Sequence, residues 1–379
     1  MNQQTPLRPI PPAPRGETEN EQRHRRDREL LTLMIAALAL LLVLLLLFVP
    51  IAWRRAHADA AAWQDEHPSA DTDSSDTADT DHNGIPDVQE TDPSDTAHTP
   101  VGSEFDPAKY MPVTTDATQV IAESAMDASH AILVDLTTGE AVAQRLADER
   151  IYPASMTKIM TVLVACEALT AAELESTFTM TAEIVDAAIA AGASRAGFEP
   201  GERVKLIDLL YGAALPSGAD ATAALAQYLA GGEEAYVALM NEKAAALGLT
   251  KTHFVTASGL HADDHYSTVR EIAALMAYAM ENELCRALLS AASYTTAATD
   301  AHPYGITLYS TTFSRMSTTT YGPVTIIAGK TGYTEEARFC LASLATRPDG
   351  REYILVTVGG STKYAPVYDC DAVYGKYLF

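Results

Sequence analysis

Pro153-Ala154-Ser155-Met156-Thr157-Lys158-Ile159-Met160-Thr161-Val162-Leu163-Val164-Ala165-Cys166 is the stretch on which the fold turns. Met156, Ile159, Met160, Leu163 and Cys166 recur at helical spacing, so the segment reads as a strongly apolar helix opened by Pro153-Ala154-Ser155. On its N-terminal side, residues 131–135 and 140–144 read as two short strands around the turn signal Thr137-Thr138-Gly139, most simply a hairpin. On its C-terminal side, residues 204–214 form a helical pattern ended by Pro216. Residues 220–229 and 233–246 form two more, the last capped by Gly248. Thr268-x-x-Glu271 is a capping box that opens a helix running to 279. Residues 324–328, 339–345 and 352–359 are strand-like, and 372–378 closes the chain as a helix. A hairpin, then helices, then a set of strands predicts an α/β (α+β) arrangement, a sheet covered by helices with a helical insert.

The chain has 379 residues and a formal net charge of −24. That charge argues against nucleic acid, which needs clustered Lys and Arg on one face. Three regions differ sharply. Residues 1–55 carry eight Arg against five acidic side chains, residues 56–107 carry fourteen Asp or Glu with no Lys or Arg, and the rest is mixed. The four cysteines, Cys166, Cys285, Cys340 and Cys370, include no Cys-x-x-Cys pair. Zinc is therefore not expected, and buried free thiols are.

Residues 30–53 are apolar apart from Thr32 and Pro50. About 20 such residues suffice to cross ~30 Å of hydrocarbon. Arg23, Arg25, Arg26 and Arg28 precede the run, only Arg54 and Arg55 follow, and the chain then turns acidic. The positive-inside bias predicts a single-pass anchor with residues 1–29 as a cytoplasmic basic tail and everything after it outside. The competing reading is a cleaved signal peptide with Ala56-His57-Ala58 as cleavage site, against which stands the length of the apolar run.

Residues 54–107 read as a flexible acidic linker, too poor in apolar side chains to offset their chain entropy. Within it, Asp79-Thr80-Asp81-His82-Asn83-Gly84-Ile85-Pro86-Asp87-Val88-Gln89-Glu90 matches the calcium-loop spacing throughout. Asp79, Asp81, Asn83, Asp87 and Glu90 offer side-chain oxygens and Ile85 its carbonyl, a hard-oxygen set that suits Ca²⁺. An Asp-rich spacer matching the pattern by chance is the alternative. Residues 108–379 are left as the catalytic domain.

Ser155 and Lys158, three residues apart on a helix, share one face. A Ser hydroxyl needs a base before it is a nucleophile, and a Lys serves only when desolvation or a second cation lowers its pKa. Ser217-Gly218-Ala219, between two helices, places a loop hydroxyl that could relay a proton. Lys330-Thr331-Gly332, followed by Tyr333, falls between two apolar strands: its Lys and Thr suit a carboxylate, its Gly permits close approach, and the N–H of Tyr333 suits an oxyanion. Taken alone, the first reads more simply as an ordinary exposed helix start, the second as a turn, and the third as a hairpin turn with a solvated Lys.

In this order the three resemble the Ser-x-x-Lys, Ser-x-Asn, Lys-Thr-Gly series of penicillin-binding proteins and serine β-lactamases. From about residue 125 onward the chain resembles the low-molecular-weight D-alanyl-D-alanine carboxypeptidases, the serine peptidase S11 family. Tyr152 to Lys158, Leu215 to Ala221, Ser258-Gly259-Leu260, His265 to Thr268 and Gly329 to Thr334 all look like that family's segments. The resemblance implies a β-lactamase/transpeptidase-like fold, an antiparallel sheet flanked by helices with an all-helical subdomain. It implies Ser155 as the acylated nucleophile, Lys158 as its activator and Ser217 as proton shuttle. Lys330 and Thr331 would hold the substrate's terminal carboxylate, and the N–H groups of Ser155 and Tyr333 the oxyanion. Peptidoglycan stem peptides are the implied substrate, β-lactams the implied covalent inhibitors, and no cofactor is implied for catalysis. Ala219 departs from the pattern, which has Asn at that place. His253, His261 and His265 read as structural. A class A β-lactamase would need a deacylating Glu that the stretch between the second and third motifs does not offer. A D,D-endopeptidase acting on cross-links and a non-catalytic wall-binding surface protein remain as alternatives.

Overall fold

The computed structural model describes residues 105–378. In chain order these form β1 (Gln119–Val120), β2 (His130–Asp135), β3 (Glu140–Arg145), α1 (Lys158–Ala168), α2 (Ala171–Leu174), β4 (Thr177–Thr179), α3 (Ala182–Ala190), β5 (Arg203–Lys205), α4 (Leu206–Ala214), α5 (Ala219–Ala230), α6 (Glu233–Ala246), α7 (Val269–Ala279), α8 (Glu283–Ser290), β6 (Ser293–Thr295), β7 (Thr307–Tyr309), β8 (Thr320–Tyr321), β9 (Val324–Thr334), β10 (Arg338–Thr346), β11 (Glu352–Gly360) and α9 (Ala365–Tyr377). The anchor at 30–53, the linker and the calcium loop lie outside the described residues. Among the described residues no helix is long and apolar enough to cross a membrane.

The main sheet runs β1-β3-β2-β11-β10-β9-β8. Its pairings are antiparallel except for β1, which pairs parallel with β3. Both faces are buried, and the two-residue side-chain period shows it. Ile132 and Val134 of β2, Ala342 and Leu344 of β10, and Ile354 and Val356 of β11 join one core with α1, α4, α5 and α7. Leu133, Leu341, Tyr353 and Leu355, from the same strands, face a second core closed by Val367, Cys370, Val373 and Tyr374 of α9. Each such side chain contributes about 1.5–3 kcal/mol when fully buried, so the sheet is fixed from both sides.

Four expectations need correction here. The insert is not all-helical: β4 pairs with β5 and β6 with β7 as two short ladders. Residues 203–205 are strand, not the first turn of a helix, because Val204 pairs with Phe178 and turns its side chain into the core. The closing helix starts at Ala365, seven residues before the expected position, with Pro366 in its first turn where a missing N–H costs nothing. The Thr268 cap forms only half of its box. Its hydroxyl accepts from Glu271 N–H at 3.1 Å, while the Glu271 carboxylate turns to the Lys251 N–H instead. All four cysteines are buried and unpaired.

Candidate active site

The nucleophile segment is not the N-terminus of α1. Ala154–Thr157 is a 3₁₀ turn, and α1 begins at Lys158. Ala154 has φ 47°, a left-handed conformation that L-residues avoid and that functional turns tolerate when their surroundings enforce it. Two glycines do the enforcing. Gly259 has φ 78° and lies so close that any Cβ would strike the Ala154 carbonyl. A Cβ on Gly332 would meet Pro153 O at 3.0 Å and Ser155 N at 3.2 Å. The missing side chain at residue 332 thus lets strand β9 run directly beside the Ser155 backbone without crowding it.

From the other end the turn is held by His265. Its Nδ1 accepts from Val255 N–H at 3.0 Å, which leaves the proton on Nε2 to donate to Thr157 Oγ1 at 2.7 Å. Burial depresses its pKa to about 4, so the ring stays neutral. The structural reading of this histidine holds, with a place directly under the nucleophile turn.

Lys158 is buried, and its Nζ donates to Ser155 Oγ at 3.1 Å and to Ser258 O at 2.6 Å. Desolvation drives its pKa down to about 7, partly opposed by the charges of Asp220 and Glu233. A neutral amine is thus accessible near neutral pH, as a general base requires.

Ser217 sits between α4 and α5 with φ 66°. Its Oγ accepts from Lys330 Nζ at 3.0 Å. Lys330 is fully buried, and its pKa is held well below the usual lysine range by desolvation first, then by Lys158 and Arg315. The Lys-Thr-Gly motif lies inside β9, not between two strands. Lys330, Thr331 and Gly332 register against Ala342, Leu341 and Cys340 of β10. The short β8 covers only the start of β9, pairing at Val324 and Thr325, so the motif occupies a free edge.

Ser155, Lys158, Ser217, Thr331, Gly332 and Tyr333 line one cavity of about 590 Å³. Lys330 reaches it through Ser217. The sequence reading placed these groups together, and they converge despite their separation along the chain. Ala219 also lines the cavity and contributes only a methyl group. The proposed calcium ligands lie outside the described residues. Among the described residues no group of three or more His, Cys, Asp or Glu side chains is placed to hold a metal ion.

Several lining groups escaped the sequence reading. Thr311 Oγ1 is 2.7 Å from Thr331 Oγ1, and Arg315 lines the cavity with a buried Nη1 that has no hydrogen-bond partner. They lie in Ser310-Thr311-Thr312-Phe313-Ser314-Arg315, a Ser/Thr-rich stretch with no motif to mark it. Gly192, Ala193 and Ser194 form another wall. The Ser258 carbonyl, a backbone group, is invisible to side-chain pattern.

The Ser155 hydroxyl beside the buried Lys158 amine faces the buried Ser217–Lys330 bridge across one cleft, a layout suited to acyl transfer. The peptidase S11 family, D-alanyl-D-alanine carboxypeptidase, matches residues 115–362. A D-alanyl-D-alanine carboxypeptidase of Bacillus subtilis (strain 168), DacF, is 33% identical over 241 residues, covering 63% of this chain and 59% of that protein. Escherichia coli (strain K12) DacC is 39% identical over 170 residues, 44% of this chain and 42% of that protein. The match thus spans less than two thirds of either relative. The solved Streptomyces K15 DD-transpeptidase superposes with a TM-score of 0.60 at 30% identity, over 67% of this chain and 99% of that one. The chain belongs to the D-alanyl-D-alanine carboxypeptidase family, and its fold is the transpeptidase/β-lactamase-like fold.

Proposed function

We propose that this chain is a serine D-Ala-D-Ala carboxypeptidase that removes the terminal D-Ala from peptidoglycan stem peptides. The observation that carries the reading is Lys158: a fully desolvated amine with a pKa of about 7, 3.1 Å from the Ser155 hydroxyl, in the cavity that Ser217 and the Lys330 edge also serve.

In this reading the terminal carboxylate of the substrate enters beside Thr331, Lys330 and Arg315, where a buried guanidinium nitrogen lacks a partner. Neutral Lys158 takes the Ser155 proton as Oγ attacks the penultimate carbonyl. The N–H groups of Ser155 and Tyr333 receive the oxyanion. The C–N bond breaks, a proton passes through Ser217 to the leaving amine, and D-Ala departs. Water, deprotonated by Lys158, then hydrolyses the Ser155 ester. β-Lactams would acylate the same hydroxyl. Residues 30–53 would anchor the enzyme with its catalytic domain outside the membrane, and the acidic segment 54–107 would act as a spacer. The loop 79–90 would take Ca²⁺.

The decisive experiment is labelling with a fluorescent penicillin, followed by assay of D-Ala release from a diacyl-L-Lys-D-Ala-D-Ala peptide. Labelling abolished by Ser155→Ala, with D-Ala released by the wild type, is expected. A folded wild-type chain that does not label makes it a binding protein. Labelling without D-Ala release, but with cleavage of cross-linked dimers, makes it an endopeptidase. Membrane fractionation before and after deletion of 1–55, and calcium titration of the full chain against Glu90→Gln, test the remaining two points.

A further inference from the structure

Asp220 follows directly on the second motif and has no part in the steps above. It is fully buried at the start of α5. Its Oδ1 accepts from Ala196 N–H at 2.8 Å and its Oδ2 from Gly197 N–H at 3.1 Å. Beside it, Ala219 N–H donates to Ser194 O at 2.8 Å. Gly218 completes the junction, since a Cβ there would press on the Asp220 carboxylate at 2.6 Å and on Ala196 N at 2.7 Å. Residues 194–197 are therefore laced to the first turn of α5 by three hydrogen bonds. Immediately upstream, Gly192, Ala193 and Ser194 form a wall of the cleft. Two of these three residues are exposed and all are small, so they bring little packing of their own to hold that wall in place.

A buried carboxylate is costly unless its oxygens are well satisfied. Here backbone N–H groups and the N-terminus of α5 supply that compensation. A neutral acceptor could tie the segment without that cost, so the charge itself calls for an explanation. Lys158 provides one. The charged groups acting on it are Asp220 from α5 and Glu233 from α6, which favour its ammonium form, with Lys330 from β9 and the ring of His265 on the other sides.

We propose that Asp220 is the positioning residue of the cleft: its carboxylate docks segment 194–197 on α5, which sets the 192–194 wall, and it acts on Lys158 as a neighbouring carboxylate. The proposal rests on the acyl-enzyme reading only in its second half. Asp220→Asn keeps one acceptor oxygen, sets an NH₂ against a backbone N–H, and removes the charge.

The test is the rate of acylation by fluorescent penicillin as a function of pH, in the full chain and in Asp220→Asn. The expected plateau rate falls about tenfold or more, and the midpoint of the acid limb moves down by about half to one pH unit as Lys158 loses an anionic neighbour. A merely structural tie would lower the plateau and leave the midpoint in place, which overturns the electrostatic half. A variant matching the wild type in both overturns the whole. Amide hydrogen exchange of the wild type decides the docking without any substitution. Ala196 and Gly197 are expected to be protected to the level of α5, and exchange at the rate of an open loop overturns it. A wild-type chain inert to penicillin would sink the acyl-enzyme reading, while the exchange result would still stand or fall by itself.

Discussion

Lys330 Nζ lies 3.0 Å from Ser217 Oγ, across 113 residues of chain, and both groups are buried. One comes from the free edge of a β-strand and the other from a strained link between two helices. Their bridge joins the sheet to the helical insert at the floor of the cleft. Arg315, with its unpartnered Nη1, adds a second cation nearby that reinforces the low pKa of Lys330. A buried amine and a half-buried guanidinium beside one cavity favour an anionic ligand, and a substrate ending in a free carboxylate supplies one.

Arg315→Ala is accordingly expected to raise KM for a D-Ala-D-Ala peptide about 10- to 100-fold, the worth of one hydrogen bond to a charged group. A substrate ending in a carboxamide has no anion to lose and should be turned over equally by variant and wild type. Steady-state kinetics on the acid and amide pair checks this. An equal loss on both would remove Arg315 from carboxylate recognition.

The pH dependence of acylation follows from Lys158. Its pKa of about 7 means that the amine is protonated, and unable to accept the Ser155 proton, below neutrality. The penicillin acylation rate should rise through pH 7 and level off above it, dropping about tenfold per unit on the acid side. Lys158→Ala should lose activity at every pH. A rate independent of pH between 6 and 8 would contradict Lys158 as the base.

The same burial makes Lys158 a stability liability. Its folded pKa lies far below the unfolded value of 10.5, so between pH 7 and 10.5 the unfolded chain binds more protons and stability climbs as pH rises. Lys158→Met removes a burial cost of a few kcal/mol at neutral pH, against about 1–3 kcal/mol for leaving the Ser258 carbonyl without its donor. The burial term wins. The variant should melt higher than the wild type at pH 7, and the gap should close toward pH 10. Calorimetry across that range would show it, and a lower melting point at pH 7 would refute the argument.

Gly259→Ala is expected to be among the most damaging single-methyl additions. Its φ of 78° is left-handed, and the added Cβ would meet the Ala154 carbonyl, backbone that cannot swing aside. Strain at such a site costs about 1–3 kcal/mol before the collision is counted. Because Ala154 precedes Ser155, penicillin labelling should fall along with the melting temperature. By contrast, Gly350→Ala, with a similar φ but open space around it, should lose stability alone.

Much of this protein is legible without coordinates. Helical spacing from Met156 to Cys166, the Thr268 cap and the alternating apolar strands near the C-terminus are local signals, and local signals fix secondary structure. The order Ser155-x-x-Lys158, Ser217, Lys330-Thr331-Gly332 exposes the candidate chemistry because those positions need specific side chains. Three things came only with the tertiary structure. Ser155 stands in a 3₁₀ turn rather than at a helix terminus, because Gly259 and Gly332 from distant segments press on its backbone. Arg315 and Thr311 reach the cleft from a stretch with no pattern of its own, held there by a contact remote in sequence, Thr311 N–H to Leu215 O at 3.0 Å. The Lys158 pKa depends on burial by several packed elements at once. Chain order records which residues are present, while desolvation and backbone strain arise only when remote segments close on one another.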